Sequence, residues 1–544
     1  MNYCIFVERT STQIVSQIAL TGASILFCKK KILRKAGIWI TNKARAIRSL
    51  KNMIEEEYIR LIFGLKLKQI RTEKNLSLFG LAKVTGLSKS YLNEIEKGKK
   101  YPKRDKILLL SEALDSTYDQ MVSLKLDKNL APIGEILQSR ILKEIPLDIF
   151  GIKESNLIDI IAEAPIKVNA FISTLFEIAK HYNLTRESFF LAALRSYQEA
   201  NNNYFDDVEQ KVEQFAKAYS LDLTTKLNVQ DLEEILVEEY GYTINNQELT
   251  EHEELVYLRS VFVPKSKTLL ISKSADVSQR MFIYAKEIAY NYMEISDRLY
   301  TFSWIKFESF DQVLNNFYAS YFAGALLIPR KELVKELKLF FEQKTFNPDE
   351  FTSLIAKFTD SPETFYQRLT NVLSKDFNLK NLFFLRFNYK PERNDFQLTK
   401  ELHITNLLEP HANENNEHYC RRWVSIKTLS AIPNSGENHL FDTQISSYNH
   451  TDNEYFVLSS ATKDPFRNGY YRSIALGIMI SSHSQSKLQF LDDETIKRKK
   501  VGVTCESCSI EDCLERAAPP KKIERKQRFE KIDKVVQELM EKYS

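Results

Sequence analysis

Glycine and proline are scarce, with 14 of each in 544 residues. So few breakers argue against long flexible linkers and against an all-β architecture with many tight turns. The stretches between them read mostly as amphipathic helices. Cysteine is scarce too, and six are too few to staple a chain of this length with disulfides. No run of 18 uncharged apolar residues is present, so no segment is expected to span a bilayer as a helix. The nearest candidate, residues 13–28, is followed by its basic cluster (Lys29, Lys30, Lys31, Arg34, Lys35) and preceded only by Arg9, the reverse of a signal peptide. Net charge is only +4, which excludes a bulk polyelectrolyte binder and makes any nucleic-acid surface a local one. A cytoplasmic protein without a membrane partner is expected.

Hydrophobic residues at 43% and charged residues at 27% are a normal globular balance. The length calls for two to four domains. Met53 opens a natural first helix, MIEEEYIRLIFGLKLKQIR, and the residues before it share neither its pattern nor its charge. Residues 1–55 are therefore read as an extension, with 1–52 arising from a start codon assigned too far upstream. Residues 56–125 form a helical block with short loops, and 126–203 read as a helical connector that ends at Asn201–Asn203. Residues 204–385 mix helices with a hairpin, LRSVFVPKSKTLLIS, that turns at Pro264–Lys267, and a long helix begins near Ser278. From 386 to 544 the runs NLFFLRFNY, EYFVLSSA and SIALGIMISS read as strands, and a charged helix closes the chain. No internal repeat is visible. The fold class is multi-domain and mainly α, with α+β parts.

The segment SLFGLAKVTGLSKSYLNEIEKGKKYP is the most specific local signal. A helix-turn-helix needs a small residue where its helices touch, a turn residue that tolerates positive φ, and an apolar anchor on the second helix. Ala82, Gly86 and Leu92 meet those demands. Leu78, Leu81, Val84, Leu87 and Ile95 continue a 3.6-residue stripe expected to face inward. Ser88 is placed to cap the second helix. That helix then presents Lys89, Ser90, Asn93 and Glu94 outward, where Asn can pair with adenine and Lys or Ser with guanine or phosphate. Arg71, Lys97, Lys99, Lys100, Lys103 and Arg104 supply charge for positioning on phosphates. The bland alternative is a helical hairpin with a solvated charged face. The block resembles the five-helix DNA-binding domain of the lambda-repressor/XRE class, which implies a homodimer on two half-sites of a double-stranded operator.

Residues 204–335, through SQRMFIYAKEIAYNYM and NNFYASYFAGALLIPR, resemble the zincin-like ImmA/IrrE family. Active members carry a His-Glu-x-x-His helix that holds zinc and keeps the Glu as general base. The matching positions here are Lys286, Glu287 and Tyr290, and the family's third, acidic ligand falls at Asn316. An ammonium repels the ion, and tyrosine and asparagine are poor ligands. The resemblance therefore implies a catalytically dead domain in which Glu287 pairs with a nearby cation, so no catalytic residue is expected. The alternative reading is an ImmA/IrrE-type metalloprotease acting on a partner regulator.

Cys505, Cys508 and Cys513 form a C-x2-C-x4-C array, and Cys420 is the remaining cysteine of the C-terminal half. Four such thiolates suit a metal centre, and spacing does not choose between zinc and an iron–sulfur cluster. A repressor-like domain, a degenerate ImmA/IrrE-like domain, and a tail with Cys420-Arg421-Arg422 and the array ending in ERAAPP together resemble the short-chain fatty acyl-CoA regulator family. That resemblance implies a transcription factor for short-chain fatty acid or carboxylate metabolism. It further implies an acyl-CoA effector sensed in the α+β C-terminal part, and a [4Fe–4S] cluster on the four cysteines. Arg421, Arg422, Arg467 and Arg472 could meet the phosphates of the effector, although solvated charge explains each of them as well.

Overall fold

Side-chain caps and short turns set the first elements. The computed structural model describes residues 59–123, 186–255, 257–300, 307, 309–404, 417–448, 451 and 453–543. The expected extension over 1–55, and most of the expected connector over 126–203, lie outside the described residues. The chain forms two compact units, one containing 59–123 and the other 186–543.

The first unit has five helices among the described residues: α1 (59–73), α2 (Leu78–Thr85), α3 (Lys89–Glu96), α4 (Arg104–Ala113) and α5 (Tyr118–Val122). Ser77, Ser88 and Thr117 each accept an amide proton from the first turn of the helix they precede, satisfying donors that would otherwise be orphaned. Phe63, Leu67, Leu81, Leu92, Ile95, Ile107, Leu110 and Leu114 form the core.

The second unit opens with α6 (Arg186–Ala200), α7 (Asp206–Ala218) and α8 (Val229–Glu234), the last continuing as a π turn. A small sheet follows, with β1 (Thr243–Asn245) parallel to β3 (Thr268–Ile271) and β2 (Ser260–Val263) antiparallel to it. The β2–β3 hairpin is the one legible in the sequence. A capping box of Asp276 and Gln279 starts α9 (Val277–Tyr292). Four more helices come next: α10 (Phe310–Leu327), α11 (Arg330–Phe341), α12 (Pro348–Phe358) and α13 (Pro362–Asp376). Proline opens both α12 and α13, where its missing N–H costs nothing.

The larger sheet has six strands in the order β5-β4-β8-β7-β6-β9. They are β4 (Leu382–Lys390), β5 (Asp395–Ile404), β6 (His439–Tyr448), β7 (Glu454–Lys463), β8 (Tyr471–Met479) and β9 (Arg498–Val501). All pairings are antiparallel except β6 with β9. Alternation along β4 divides two clusters. Leu382 and Phe384 join the core that runs from Phe205 to Ile496. Phe383, Leu385 and Phe387 instead face Trp423, Val424 and Leu429, which belong to or precede helix α14 (Val424–Ser435). Position 385–386, expected as a boundary, thus falls inside a strand, because β4 has to complete the core of the helices before it. The short α15 (Ser482–Lys487) and the terminal α16 (Lys521–Tyr543) complete the unit. Among the described residues, no helix is long and apolar enough to cross a membrane.

Candidate nucleic-acid interface

The turn between α2 and α3 depends on Gly86, whose φ of 69° lies in the left-handed region and whose amide donates to the Ala82 carbonyl at 2.9 Å. Nothing stands near the place of a Cβ there, so backbone conformation rather than space selects glycine. Leu81, Leu92 and Ile95 are fully buried, and Ala82 packs against them partly exposed. The inward stripe departs from expectation at one place. Val84 is 61% exposed and Thr85 is buried instead. The Thr85 hydroxyl donates to the Leu81 carbonyl at 2.7 Å, which removes the cost of burying it.

The outward face of α3 carries Lys89, Ser90 and Asn93, all exposed. Ser88 is occupied as the cap, its Oγ accepting from the Tyr91 amide at 3.1 Å. Glu94 is half-exposed and lies 2.7 Å from Lys100 Nζ, a bond that holds this ammonium above its usual pKa. Such surface pairs are weak, so the Glu94 carboxylate exchanges readily with solvent or a ligand. Lys97 is half-buried, and Lys83, Lys99 and Lys103 are exposed around the helix.

Arg71 does not join this surface. Its Nε and Nη2 donate to the two Glu96 oxygens at 2.6 and 2.9 Å, and its Nη1 donates to the Leu76 carbonyl at 2.7 Å. Both side chains are nearly buried. Each guanidinium nitrogen thus makes a hydrogen bond, and the buried bidentate pair ties α1 to the end of α3. Arg71 is thus a brace for the unit. Glu96 is the residue that sequence reasoning missed. Its only local signal is a carboxylate at a position one step along from Ile95, on the inward side.

In the second unit, Lys286, Tyr290 and Asn316 come together. Lys286 Nζ donates to Asn316 Oδ1 at 2.6 Å, and the Tyr290 hydroxyl donates to the same oxygen at 3.3 Å. Glu287 is bound by Arg298, whose Nη2 lies 2.6 Å from both carboxylate oxygens, and by the Tyr242 hydroxyl at 3.0 Å. The Arg298 guanidinium lies 3.9 Å from the Tyr290 ring centre. Glu287 is therefore engaged as one half of a buried ion pair and is not presented as a base. Burial pushes the Lys286 ammonium down to about 7, against the pull of Glu287.

That shift fixes a stability prediction. The unfolded chain holds the lysine proton up to about pH 10, whereas the folded one releases it near 7. The cost of burying the charge is therefore present in full below pH 7 and disappears as pH rises toward the unfolded value. Lys286→Met should raise stability by about 1–2 kcal/mol at pH 6 and by less at pH 10. Thermal unfolding at the two pH values checks this, and an equal gain at both would refute the assignment.

Cys420, Cys505 and Cys508 are buried and Cys513 is half-buried. Two chain segments meet there: the Cys420 amide donates to the Val503 carbonyl at 3.0 Å and the Cys505 amide to His418 at 2.7 Å. Sulfur is met by amides as well, from Ala517 to Cys505 Sγ at 3.3 Å and from Ile510 to Cys508 Sγ at 3.5 Å. Burial pushes the Cys420 thiol up to about 11, opposed by the amides of Gly502 and Arg422. Amides aimed at sulfur are the donors a thiolate centre uses. Among the described residues, no group of three or more His, Cys, Asp or Glu is placed to hold a metal ion. The donor chemistry, buried thiols met by backbone amides, fits a thiolate centre.

The helix-turn-helix family model matches residues 67–120. A solved structure described as a Mycobacterium tuberculosis transcriptional regulator is similar at 18% identity and a TM-score of 0.42, over 60% of this chain and 92% of that one. No curated protein matches the chain. The family match, the Gly86 turn and the exposed face of α3 place a helix-turn-helix DNA-binding unit in the first unit of this chain.

Proposed function

We propose that the chain is an acyl-CoA-responsive transcriptional regulator of short-chain fatty acid or carboxylate metabolism, binding a double-stranded operator as a homodimer and without enzymatic activity. The observation that carries the DNA-reading part is the exposed triad Lys89, Ser90 and Asn93 on a helix whose opposite face is fully buried. Asn93 would read an adenine edge, while Lys89, Lys97 and Lys99 would meet base edges or phosphates. An acyl-CoA would act through the second unit by favouring one arrangement of two DNA-reading units over another. Cys420, Cys505, Cys508 and Cys513 would hold a [4Fe–4S] cluster, with zinc as the alternative. Bound there, either metal centre would brace the segment joining residues 418–420 to 502–508. What supports the non-enzymatic reading over a metalloprotease is the Glu287–Arg298 pair and the ammonium of Lys286 at an expected ligand position.

The test is a pair of substitutions read against two DNAs. Asn93→Ala should reduce discrimination between operator and mutated operator by about 1–3 kcal/mol while leaving non-specific binding unchanged. Lys99→Ala should weaken binding to both DNAs alike and lower the salt slope by about one. Fluorescence anisotropy at several salt concentrations measures both. Parallel, unselective losses from the two variants would mean that α3 does not read the bases. Addition of propionyl-CoA or acetyl-CoA should shift operator affinity, and indifference to both would remove the effector from the proposal.

A further inference from the structure

The terminal helix α16, Lys521–Tyr543, has no buried residue along its 23 positions. Its apolar side chains are nevertheless ordered. Phe529, Ile532, Val536, Leu539 and Tyr543 follow one another at intervals of three, four, three and four residues. They are 42–79% exposed. A 3-4 spacing places all five on one seam of a helix with the 3.5-residue period of a left-handed coiled coil. A helix of this length that buries nothing gains only its own propensity, which is marginal in water. The seam is what a second helix would cover.

We infer that α16 is a dimerisation helix that pairs in parallel with α16 of a second copy of this chain. With Phe529, Val536 and Tyr543 as the first core position of successive heptads, Ile532 and Leu539 take the second. Val536 at the first position and Leu539 at the second match the pattern of two parallel strands, while Ile532 at the second departs from it. Charge agrees with that orientation from residue 528 onward; in the turn before, Lys522 and Arg525 fall at core positions and Lys521 would face Lys526 of the other copy, so the pairing is confined to 528–543. The flanking position before Phe529 is Arg528, and its cross-strand partner in a parallel pair is Asp533 of the other copy, an opposite charge. The next flanking pair is Val535 with Met540, both apolar and both exposed at present, so they widen the seam on the side where pairing would bury them. The remaining outward positions, Glu530, Lys531, Lys534, Gln537, Glu538 and Glu541, are polar throughout. Self-pairing over 528–543 accounts for an apolar seam and a polar back on one helix, with one opposite-charge flanking pair. The inference deepens the regulator reading, since it names the element that would join two DNA-reading units, but it does not depend on which DNA they read.

The experiment uses the full chain. Sedimentation equilibrium of the wild type should give a two-chain mass, and Ile532→Asp with Leu539→Asp should shift it to a one-chain mass. Because α16 buries nothing in its own chain, these changes leave the rest of the protein folded, which unchanged thermal unfolding would confirm. Val536→Cys should form an inter-chain disulfide under mild oxidation, whereas Lys534→Cys, on the polar back, should not. A wild type that is monomeric, or a dimer that survives the double substitution, overturns the proposal. Equal cross-linking at 534 and 536 overturns it too. If the dimer is lost yet operator affinity is unchanged, the coiled coil stands and the two-half-site reading falls.

Discussion

Gly64→Val is expected to abolish operator binding by the full chain while leaving residues 186–543 folded. Gly64 lies on α1 where that helix crosses the end of α3. A Cβ at this position would sit 2.3 Å from the Ile95 carbonyl oxygen and 2.8 Å from that of Glu96. Both are backbone atoms, so no rotamer change relieves the clash and the helices have to part. On the other side of the same crossing, Gly98 has φ of 68° and would bring a Cβ to 3.0 Å from the Leu61 Cα. Glycine on both surfaces lets the backbones approach closely enough for Arg71 to span from α1 to Glu96. Separating the helices therefore costs the overpacking itself and the Arg71–Glu96 pair. Either alone is worth about 2–4 kcal/mol. A small helical unit has little more than about 5 kcal/mol in total. The variant should lose its operator mobility shift and the cooperative thermal transition of the first unit, with Gly64→Ala intermediate. Wild-type DNA affinity in Gly64→Val would show that α1 and α3 do not need this contact.

The elements legible in the sequence are those whose signals are local. Ser88, Gly86 and the spacing of Leu81 and Leu92 encode cap, turn and core within a dozen residues, and the β2–β3 hairpin is short. β4, β7 and β8 are central strands covered on both faces, so they read as continuous apolar runs. β5 and β6 lie nearer the edges and carry polar residues such as Gln397, Lys400, Asp442 and Gln444, and β9 is Arg-Lys-Lys-Val. None of the three shows a clean alternation, and only pairing with neighbours makes them strands. At the interface the failures have the same origin. Arg71 looks like a phosphate clamp until Glu96 is found 25 residues away. Val84 looks like core until the Thr85 hydroxyl is satisfied by its own helix. Meanwhile Lys286, Glu287, Tyr290 and Asn316 were legible as a set only through the resemblance, and Arg298, which occupies Glu287, carries no sequence signal at all.

Glu363→Gln is expected to destabilise the second unit by about 3–5 kcal/mol at pH 7, the cost of leaving buried cations without their counter-charge. Glu363 stands in the first turn of α13, over the sheet. Its Oε1 accepts from Arg386 Nη1 at 2.9 Å and from Gln367 Nε2 at 3.1 Å, and its Oε2 accepts from Arg472 Nη1 at 3.2 Å. Arg386 and Lys400 are directly opposite partners across β4 and β5, an arrangement that repels unless a carboxylate stands between. Asp464 at 3.0 Å serves Arg472 but does not reach Arg386 within an ion-pair distance. Burial alone would raise the Glu363 pKa, yet Arg386, Arg472, Lys400 and Arg259 together hold it far below the usual carboxylate range. The sign of the pH dependence follows. A carboxylate depressed in the folded state contributes fully above its unfolded pKa, about 4.3, and loses that contribution as pH falls toward the folded value. The wild type should therefore weaken below about pH 4, and Glu363→Gln, which has no such proton to take up, should not weaken by the same amount. Urea unfolding at pH 7 and at pH 3 measures the gap between the two proteins, and that gap should be widest at the first and smaller at the second, where the unfolded carboxyl has taken up its proton while the folded one is still ionised. A gap of equal width at both would place the stabilisation in the shape of the Glu363 side chain and its amide-like hydrogen bonds, and the charge would have no part in it.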